Sequence, residues 1–429
     1  LGLLFSQKAG IIAFRYMPKD SLSKIDSKIN NLIKQEFTRH QEGFNLIASD
    51  NYVSLAVREA VGSILSARYA EGYPEKRYYS GQYFIDQIEK TAIQRAKKIF
   101  KANYANVQPH SGSNANQAAY FALLKPGDKI LSMRIDQGGH LSHGALVNFS
   151  GQLYNFVFYG VDKKTERIDY EEVSRIAQKE KPRLIIAGAS SYPRQIDFSK
   201  FSKIAKENKA YLMADIAHVA GLVAAKLHPQ PFPYCDLVTM TTHKTLRGAR
   251  GGLILSNDKI IAEKIDKAVF PGLQGGPLQN EIAGKAVALK QASQPSFIQY
   301  QKQVIKNAQV LAKILIEQGF DLVSGGTDNH LILVNLTKLD LTGKKAQEAL
   351  EAVNIYVNRN IVPNDSRSKW QTSGIRLGAP AVTSKGLKQK EIKQIGLLIV
   401  KILNNIDDLK IRQQVKNQVI KLAKKFPVL

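Results

Sequence analysis

The sequence predicts an α/β fold in which helices cover both faces of a mostly parallel sheet. Short apolar strands alternate with amphipathic helical segments from about residue 86 to residue 256. Strands that are separated by helices in this way pair in parallel, and continuous apolar runs are typical of strands buried on both faces. After Gly276 longer helical segments dominate, and a second group of strands follows. We therefore expect one larger and one smaller α/β unit.

The elements of the larger unit follow from the spacing of its apolar residues. Helices are predicted at IDQIEKTAIQRAKKIF, SNANQAAYFALL, YEEVSRIAQKE and FSKIAKEN, where that spacing is helical. Strands are predicted at residues 129–133, 183–188, 210–215, 236–242 and 251–256, with a shorter strand in ANVQPHSG. The strand at 251–256 begins on a glycine pair soon after the preceding strand. We expect one edge strand or one neighbour to be antiparallel at that point, because the strand follows the glycine pair so closely.

The smaller unit begins with two long helical segments, NEIAGKAVALKQAS and FIQYQKQVIKNAQVLAKILIEQG. Strands are predicted at NHLILVNL and NIYVNRN, and two amphipathic helices end the chain. The predicted division is residues 1–65 as an N-terminal extension and arm, residues 66–293 as the larger domain and residues 294–429 as the smaller domain.

The chain is strongly basic. Lysine and arginine number 61 against 36 aspartates and glutamates, which gives a formal net charge of +25. A charge of this size fits binding to nucleic acid or to an anionic membrane surface. However, the lysines are spread along helical segments and form no compact basic block, which is typical of solvated helix faces. We favour the second interpretation and keep a nucleic-acid-binding protein as the alternative from a different class.

Cysteine usage and hydropathy indicate a cytoplasmic protein. Cys235 is the one cysteine, so the sequence contains neither a disulfide framework nor a CxxC metal site, and no metal is expected. No apolar run reaches the roughly 18 residues of a membrane-spanning helix. Residues 1–16 precede Met17 and contain basic residues and an apolar stretch without a clear cleavage site. We expect these residues to lie outside the fold, either as a transit-like leader or because translation starts at Met17.

Three polar groups follow predicted strands at their carboxyl ends, where ligands bind in parallel α/β sheets. Ser111, Gly112 and Ser113 lie at a strand-to-helix turn, where free N–H groups and the helix dipole would hold a phosphate. Asp215 ends the strand AYLMAD, and Lys244 follows the strand DLVTMTT. Each group also has an ordinary interpretation, namely a helix N-cap, a carboxylate that caps a turn and a surface lysine.

The three groups together favour pyridoxal phosphate (PLP) as the cofactor. A lysine at low exposure among other cations has a lowered pKa and is a usable amine nucleophile. In PLP enzymes a lysine forms a Schiff base, a carboxylate holds the pyridinium N–H and a helix N-terminus holds the phosphate. The turn at 111–113, Asp215 and Lys244 would supply these contacts in chain order.

From about residue 30 onward the chain also resembles the serine hydroxymethyltransferase (glycine hydroxymethyltransferase) family. The stretches that carry the resemblance are LIASDNY, RYAEGYPEKRYY, NVQPHSGSNAN, GGHLSHG, DIAHVAGLVAA, TTHKTLRGARGG, FPGLQGGP, SGGTDNH, VNRNIVPND and TSGIRLGAPA. The resemblance implies the aspartate-aminotransferase-like fold of fold-type-I PLP enzymes, with a mostly parallel seven-stranded sheet and a smaller C-terminal α/β domain. It also implies a homodimer, or a dimer of dimers, with shared active sites.

The resemblance implies a role for each residue in its motifs. The implied cofactor contacts are Lys244 as the Schiff-base lysine, Asp215 at the pyridine nitrogen, His140 on the ring face, Ser190 and His218 near the ring O3′, Ser111, Gly112 and Ser113 at the phosphate, and Gly275 and Gly276 at the phosphate of the neighbouring subunit. The implied substrate contacts are Ser49 and Arg376 at the amino-acid carboxylate, Tyr79 near the substrate, and Asn360 at the folate. The implied catalytic residues are Lys244, His243, Tyr69, Tyr79 and the acid–base group Glu71, with Tyr69, Glu71 and Tyr79 reaching across the dimer.

Taken alone, several of these residues fit ordinary structural roles. His140 fits a structural histidine, Arg376 fits a salt-bridge partner, and the glycine pair of QGGP fits a turn. The tyrosine cluster of YAEGYPEKRYY fits interface packing. The chain also departs from the family pattern at Asp50, where a glutamate is usual, and in the loop after Tyr79.

The implied reaction is the reversible conversion of L-serine and tetrahydrofolate to glycine and 5,10-methylenetetrahydrofolate. Tetrahydrofolate is then a co-substrate, and the activity belongs to one-carbon metabolism and to glycine biosynthesis. Another fold-type-I enzyme, such as a threonine aldolase, is the alternative. The folate-side stretch VNRNIVPND argues against this alternative.

Overall fold

The computed structural model describes residues 21–428, so the expected extension at residues 1–16 lies outside the described residues. The helices are α1 Leu22–Ile25, α2 Ser27–Gln41, α3 Leu55–Val61, α4 Tyr83–Phe100, α5 Gly112–Leu123, α6 Phe149–Leu153, α7 Tyr170–Glu180, α8 Phe198–Glu207, α9 Ala220–Ala224, α10 Lys259–Lys267, α11 Gln279–Ala292, α12 Pro295–Glu317, α13 Gly343–Glu351, α14 Pro380–Ser384, α15 Gln389–Leu403 and α16 Leu409–Ala423.

The strands are β1 Phe44–Asn45, β2 Gly72–Tyr73, β3 Lys76–Arg77, β4 Tyr104–Asn106, β5 Lys129–Met133, β6 Asn155–Tyr159, β7 Leu184–Gly188, β8 Tyr211–Asp215, β9 Leu237–Thr241, β10 Gly252–Ser256, β11 Asp321–Leu322, β12 Leu331–Asn335, β13 Ile355–Tyr356, β14 Asn358–Asn360 and β15 Gly374–Gly378. Among the described residues, no helix is long and apolar enough to cross a membrane.

The larger sheet has seven strands in the order β4-β10-β9-β8-β7-β5-β6. Strand β10 runs antiparallel to both of its neighbours, and the other strands run parallel to one another. The prediction of a mostly parallel sheet is confirmed, as is the antiparallel neighbour that follows the glycine pair. All residues of the central strands β7 and β9 are buried, as expected when helices cover both faces.

Local sequence explains where several elements begin. Asp169 and Asp197 cap α7 and α8 by accepting hydrogen bonds from two backbone N–H groups each. Strand β5 and helix α7 coincide with the predicted segments. The sequence analysis missed β6, which lies at the edge of the sheet and is only partly buried. Its aromatic and β-branched residues favour a strand, but its burial pattern is irregular.

A smaller, antiparallel sheet has the strand order β11-β12-β15-β14. Each sheet has its own hydrophobic core. Helix α12 contributes to both cores, because Phe297 near its start packs in the core of the larger sheet, whereas Leu311 and Leu315 pack in the core of the smaller one. This helix therefore links the two sheets.

Candidate active site

A cavity of about 310 Å³ opens near the carboxyl ends of β7, β8 and β9. It is lined by ten of the residues predicted from the sequence: Ser49, Ser111, Gly112, Ser113, His140, Ser190, Asp215, His218, His243 and Lys244. These residues are far apart in the chain and meet because the parallel strands end at one edge of the sheet. The position of the cavity is therefore the one expected for a ligand site in this fold class.

Lys244 lies just after β9 and is 9% exposed. Burial is the main cause that lowers the pKa of Lys244 from 10.5 to about 8. The nearby cations Arg376 and Arg250 lower it further, and Asp215 opposes them. A much larger share of this lysine is consequently neutral near physiological pH than of an exposed lysine, and a neutral amine is a nucleophile.

Asp215 is held as a carboxylate by its neighbours. Asn116 Nδ2 donates to Oδ2 at 2.8 Å, His143 Nε2 lies 2.9 Å from the same oxygen, and the Ala217 N–H donates to Oδ1 at 3.0 Å. Burial alone would raise the pKa of Asp215, but the contacts with His143 and Asn116 outweigh it and keep the pKa below its ordinary value. The site therefore contains a fixed negative charge close to Lys244.

The sequence analysis did not predict roles for His143 and Asn116. The Asn116 amide is oriented by Thr239, whose hydroxyl donates to Asn116 Oδ1 at 2.7 Å. His143 lies in GGHLSHG, three residues after His140, and a second histidine in that motif was the available signal. Asn116 lies on helix α5, and only the folded chain brings it beside Asp215.

The predicted phosphate turn is the N-terminus of helix α5. Ser111 is its N-cap and accepts a hydrogen bond from the Asn114 N–H at 3.1 Å. N–H groups of a first helical turn have no partner within the helix and face an incoming anion. A Cβ on Gly112 would lie 2.5 Å from Cγ2 of Thr241, so a larger residue would have to displace the Thr241 side chain at the end of β9. The turn therefore lies directly against the strand that leads to Lys244.

His140 and His218, which line the cavity, are neutral. Burial is the main cause that lowers the pKa of His140 to about 4, and it also lowers the pKa of His218 well below its ordinary value. Nδ1 of His140 contacts the hydroxyl of Ser142 at 2.8 Å, which fixes the orientation of the ring. His218 Nε2 lies 3.4 Å from the hydroxyl of Ser190. A neutral, flat imidazole at His140 is suited to stacking on an aromatic ring.

The side chains of this cavity fit PLP. An amine of lowered pKa, an ionised carboxylate and a helix N-terminus meet in it, and they match the aldehyde, the pyridinium N–H and the phosphate. In the described part of the chain, Nδ1 of His243 is a buried polar atom without a hydrogen-bond partner, and this residue also lines the cavity. Within residues 21–428 no group of three or more histidine, cysteine, aspartate or glutamate side chains could hold a metal ion.

A neighbouring cleft of about 480 Å³ contains the predicted substrate residues Arg376 and Asn360. His140 and Ser190 line both the cleft and the cavity, so the two spaces adjoin. Arg376 is buried on β15 and donates through Nη1 to the Ser190 carbonyl at 2.7 Å and through Nε to Asn358 Oδ1 at 3.0 Å. Burial lowers the pKa of Arg376 to about 10, which leaves the guanidinium charged at neutral pH.

Five predicted residues form a separate cluster that does not line the cavity of their own chain: Tyr69, Glu71, Tyr79, Gly275 and Gly276. The Tyr69 hydroxyl donates to Glu71 Oε1 at 3.1 Å, and the rings of Tyr69 and Tyr79 meet edge to face at 5.3 Å. A Cβ on Gly275 would lie 3.2 Å from Glu71 Oε1, so the glycine loop lies against this cluster. A single chain therefore keeps these residues together but apart from Lys244.

Comparison with known proteins gives one consistent result. The family model described as serine hydroxymethyltransferase matches residues 22–399. The chain is 54% identical to a serine hydroxymethyltransferase of Prochlorococcus marinus (strain MIT 9301), over 95% of this chain and 96% of the relative. It is 55% identical to one of Methanosarcina barkeri, over 95% and 99%, and 54% identical to one of Mycoplasma capricolum, over 95% and 98%.

The rate of covalent capture of PLP at Lys244 is expected to rise with pH, because only the neutral amine attacks an aldehyde. The midpoint of this rise should lie near pH 8. The measurement is borohydride reduction at a series of pH values, followed by mass spectrometry of the peptide that contains Lys244. Lys285 is an internal control that should not be captured. Burial also lowers its pKa, to about 7, but its Nζ is held by three backbone carbonyls. A midpoint near 10.5 would contradict the role of burial.

Proposed function

Because the chain belongs to the serine hydroxymethyltransferase family, we propose that the cavity around Lys244 is its active site. The chain has the fold of the fold-type-I PLP enzymes and is a PLP-dependent hydroxymethyltransferase of one-carbon metabolism. It converts L-serine and tetrahydrofolate reversibly to glycine and 5,10-methylenetetrahydrofolate. The convergence of the Lys244 amine, the Asp215 carboxylate and the turn at Ser111–Ser113 in one cavity supports this assignment most strongly.

The proposed roles follow from charge and position. When bound, PLP draws electrons away from the substrate Cα through its protonated pyridine ring. Lys244 holds the cofactor through its amine, and Asp215 keeps the proton on the pyridine nitrogen because it remains ionised. The N–H groups at the start of α5 bind the phosphate, and His140 lies on the face of the ring.

We propose that the adjoining cleft receives the amino acid and the folate. Arg376 binds the substrate carboxylate, for which its planar guanidinium is suited, and Ser49 assists it. Ser190 and His218 hold the hydroxyl side of the cofactor ring. Asn360, which lines the cleft but not the cavity, contacts the folate.

We further propose that the active unit is a homodimer, in which Glu71, Tyr69 and Tyr79 of one copy complete the site of the other. Glu71 moves the protons that the hydroxymethyl transfer needs, as a positioned carboxyl group can. Tyr69 and Tyr79 are about half exposed in the single chain, although they are large aromatic residues. Gly275 and Gly276 would approach the phosphate of the neighbouring copy together with this cluster.

Helix α2 gives independent support for the homodimer, because none of its residues is buried in the single chain. Ile29, Leu32, Ile33 and Phe37 form one stripe at helical spacing and are 44–56% exposed. An apolar stripe of this kind is typical of a helix that packs against a second protein. We assign a second copy of this chain to it.

The remaining proposals concern location and domains. We propose a cytoplasmic location, which the single, buried Cys235 supports because cytoplasmic proteins seldom contain disulfides. We also propose the division into an N-terminal arm to residue 65, a larger domain at 66–293 and a smaller domain at 294–429. The two hydrophobic cores support a larger and a smaller domain, with helix α12 shared between them.

The purified protein is expected to convert serine to glycine only when tetrahydrofolate is present. Lys244→Ala should lose the absorbance band of the covalently held cofactor, and activity should fall about 10²- to 10⁴-fold because a reacting amine is lost. Lys259→Ala is the matched control, because that lysine is 72% exposed. Folate-independent cleavage of threonine, without serine turnover, would indicate an aldolase.

Hybrid dimers test whether active sites are shared. A dimer of one Lys244→Ala chain and one Glu71→Gln chain should contain one intact site, provided that Glu71 serves the other chain. Coexpression of two inactive variants in equal amounts should therefore recover about a quarter of the wild-type activity, since half of the dimers are hybrids. The two variants purified separately and kept from exchanging chains are the controls. Activity no higher than theirs would contradict a shared site.

A further inference from the structure

The backbone at Lys244 is anchored by helix α12, whose C-terminal half packs in the core of the smaller sheet. Residues 242–251, between β9 and β10, form no strand, so the sheet does not hold the carbonyl groups of Lys244 and Thr245. Within this loop the Arg247 N–H donates to the Lys244 carbonyl at 3.1 Å. We propose that Gln301 and Asn51 are positioning residues that fix these two carbonyls and thereby the reactive amine. This inference rests on the proposed role of Lys244 and extends it to residues outside the cavity.

Gln301 makes the first contact directly. Its Nε2 donates to the Thr245 carbonyl at 2.7 Å, and its side chain is fully buried. The Thr245 hydroxyl donates to the His218 carbonyl at 2.8 Å and accepts from the Gly221 N–H at 2.9 Å. A buried peptide with this many satisfied hydrogen bonds has one preferred position.

The packing around Thr245 leaves no room for a shift. A Cβ on Gly221 would lie 2.2 Å from the Thr245 carbonyl oxygen and 2.5 Å from Gln301 Nε2. The glycine therefore allows α9, the Thr245 peptide and the Gln301 side chain to pack without a gap. Removal of the Gln301 amide would leave the Thr245 carbonyl buried and lacking a donor from α12.

Asn51 makes the second contact and connects the Lys244 carbonyl to Tyr300 of helix α12. Its Nδ2 donates to the Lys244 carbonyl at 2.9 Å and lies 2.9 Å from the Tyr300 hydroxyl. Its Oδ1 accepts from the Ser384 hydroxyl at 2.7 Å and from the Tyr52 N–H at 2.9 Å. Both ends of the amide are thus fixed, and the orientation that serves Lys244 is the one its neighbours impose.

Tyr300 and Gln301 are consecutive residues of α12, so one turn of this helix supports both carbonyls. The Tyr300 hydroxyl also contacts the Pro380 carbonyl at 3.1 Å, on the side of the smaller sheet. The position of the Lys244 amine consequently depends on how the smaller sheet and its helices are seated. A displacement of about 1 Å at a reacting group can cost on the order of 100-fold in rate, so this seating has a functional consequence.

The test compares three variants of the full chain. Gln301→Leu removes the amide but keeps most of the volume, and Tyr300→Phe removes only a hydroxyl, the contact through which α12 helps to orient Asn51. Gln299→Leu is the matched control, because Gln299 lies on the same helix and is exposed. The measured quantities are kcat, KM for serine, the thermal unfolding midpoint and the rate at which PLP is captured at Lys244 in protein stripped of cofactor.

For Gln301→Leu and Tyr300→Phe we expect kcat and the capture rate to fall about tenfold, the equivalent of one lost hydrogen bond, with KM changed less than about twofold. Gln299→Leu should match the wild type. Capture and turnover at the control rate in both variants would overturn the inference, as would a lower unfolding midpoint with an unchanged capture rate. Capture at a residue other than Lys244 in the wild type would instead overturn the proposed function.

Discussion

The proposed active site depends on keeping one lysine amine and one aspartate carboxylate out of bulk water at the ends of adjacent strands. Burial favours the neutral form of each group. At Lys244 burial lowers the pKa of the amine to about 8, and the nearby arginines act in the same direction. At Asp215 the effect of burial is outweighed, because His143 and Asn116 stabilise the carboxylate. The same cavity therefore contains a nucleophilic amine and a permanent negative charge, the two groups that a pyridine aldehyde requires.

The surrounding structure satisfies the groups that this arrangement leaves buried. Thr239 orients Asn116, Gly112 lets the phosphate turn approach β9, and Gln301 supplies a donor to the Thr245 carbonyl. Unpaired buried polar groups are costly, so each of these contacts is also a contribution to stability. Two exceptions among the described residues are informative: His243 Nδ1 is one of several buried atoms without a hydrogen-bond partner and lies beside the cavity, and the stripe on α2 remains exposed in the single chain. The first exception fits a ligand, and the second fits another copy of the chain.

The sequence predicted the larger sheet well because its strands are buried on both faces and appear as continuous apolar runs. Strand β6 was missed because it lies at the edge, where burial is partial and the apolar pattern is weak. Residues at strand ends, such as Asp215 and Lys244, could be predicted because strand order alone brings them together. His143, Asn116 and Gln301 could not, since their contacts cross between elements that are distant in the chain. Most individual roles came from the family resemblance, because spacing alone left Arg376 and His140 open to structural interpretations.

A crystal structure of the protein purified with PLP and glycine would locate every group around the cofactor at once. We expect the cofactor in the cavity at the ends of β7, β8 and β9, with the Asp215 carboxylate at the pyridine nitrogen and the phosphate at the start of α5. We also expect the Lys244 amine within bonding reach of the aldehyde carbon and Glu71 of a second copy at the mouth of the site. A cofactor bound elsewhere, or a Lys244 side chain turned to solvent away from Asp215, would contradict the proposed site.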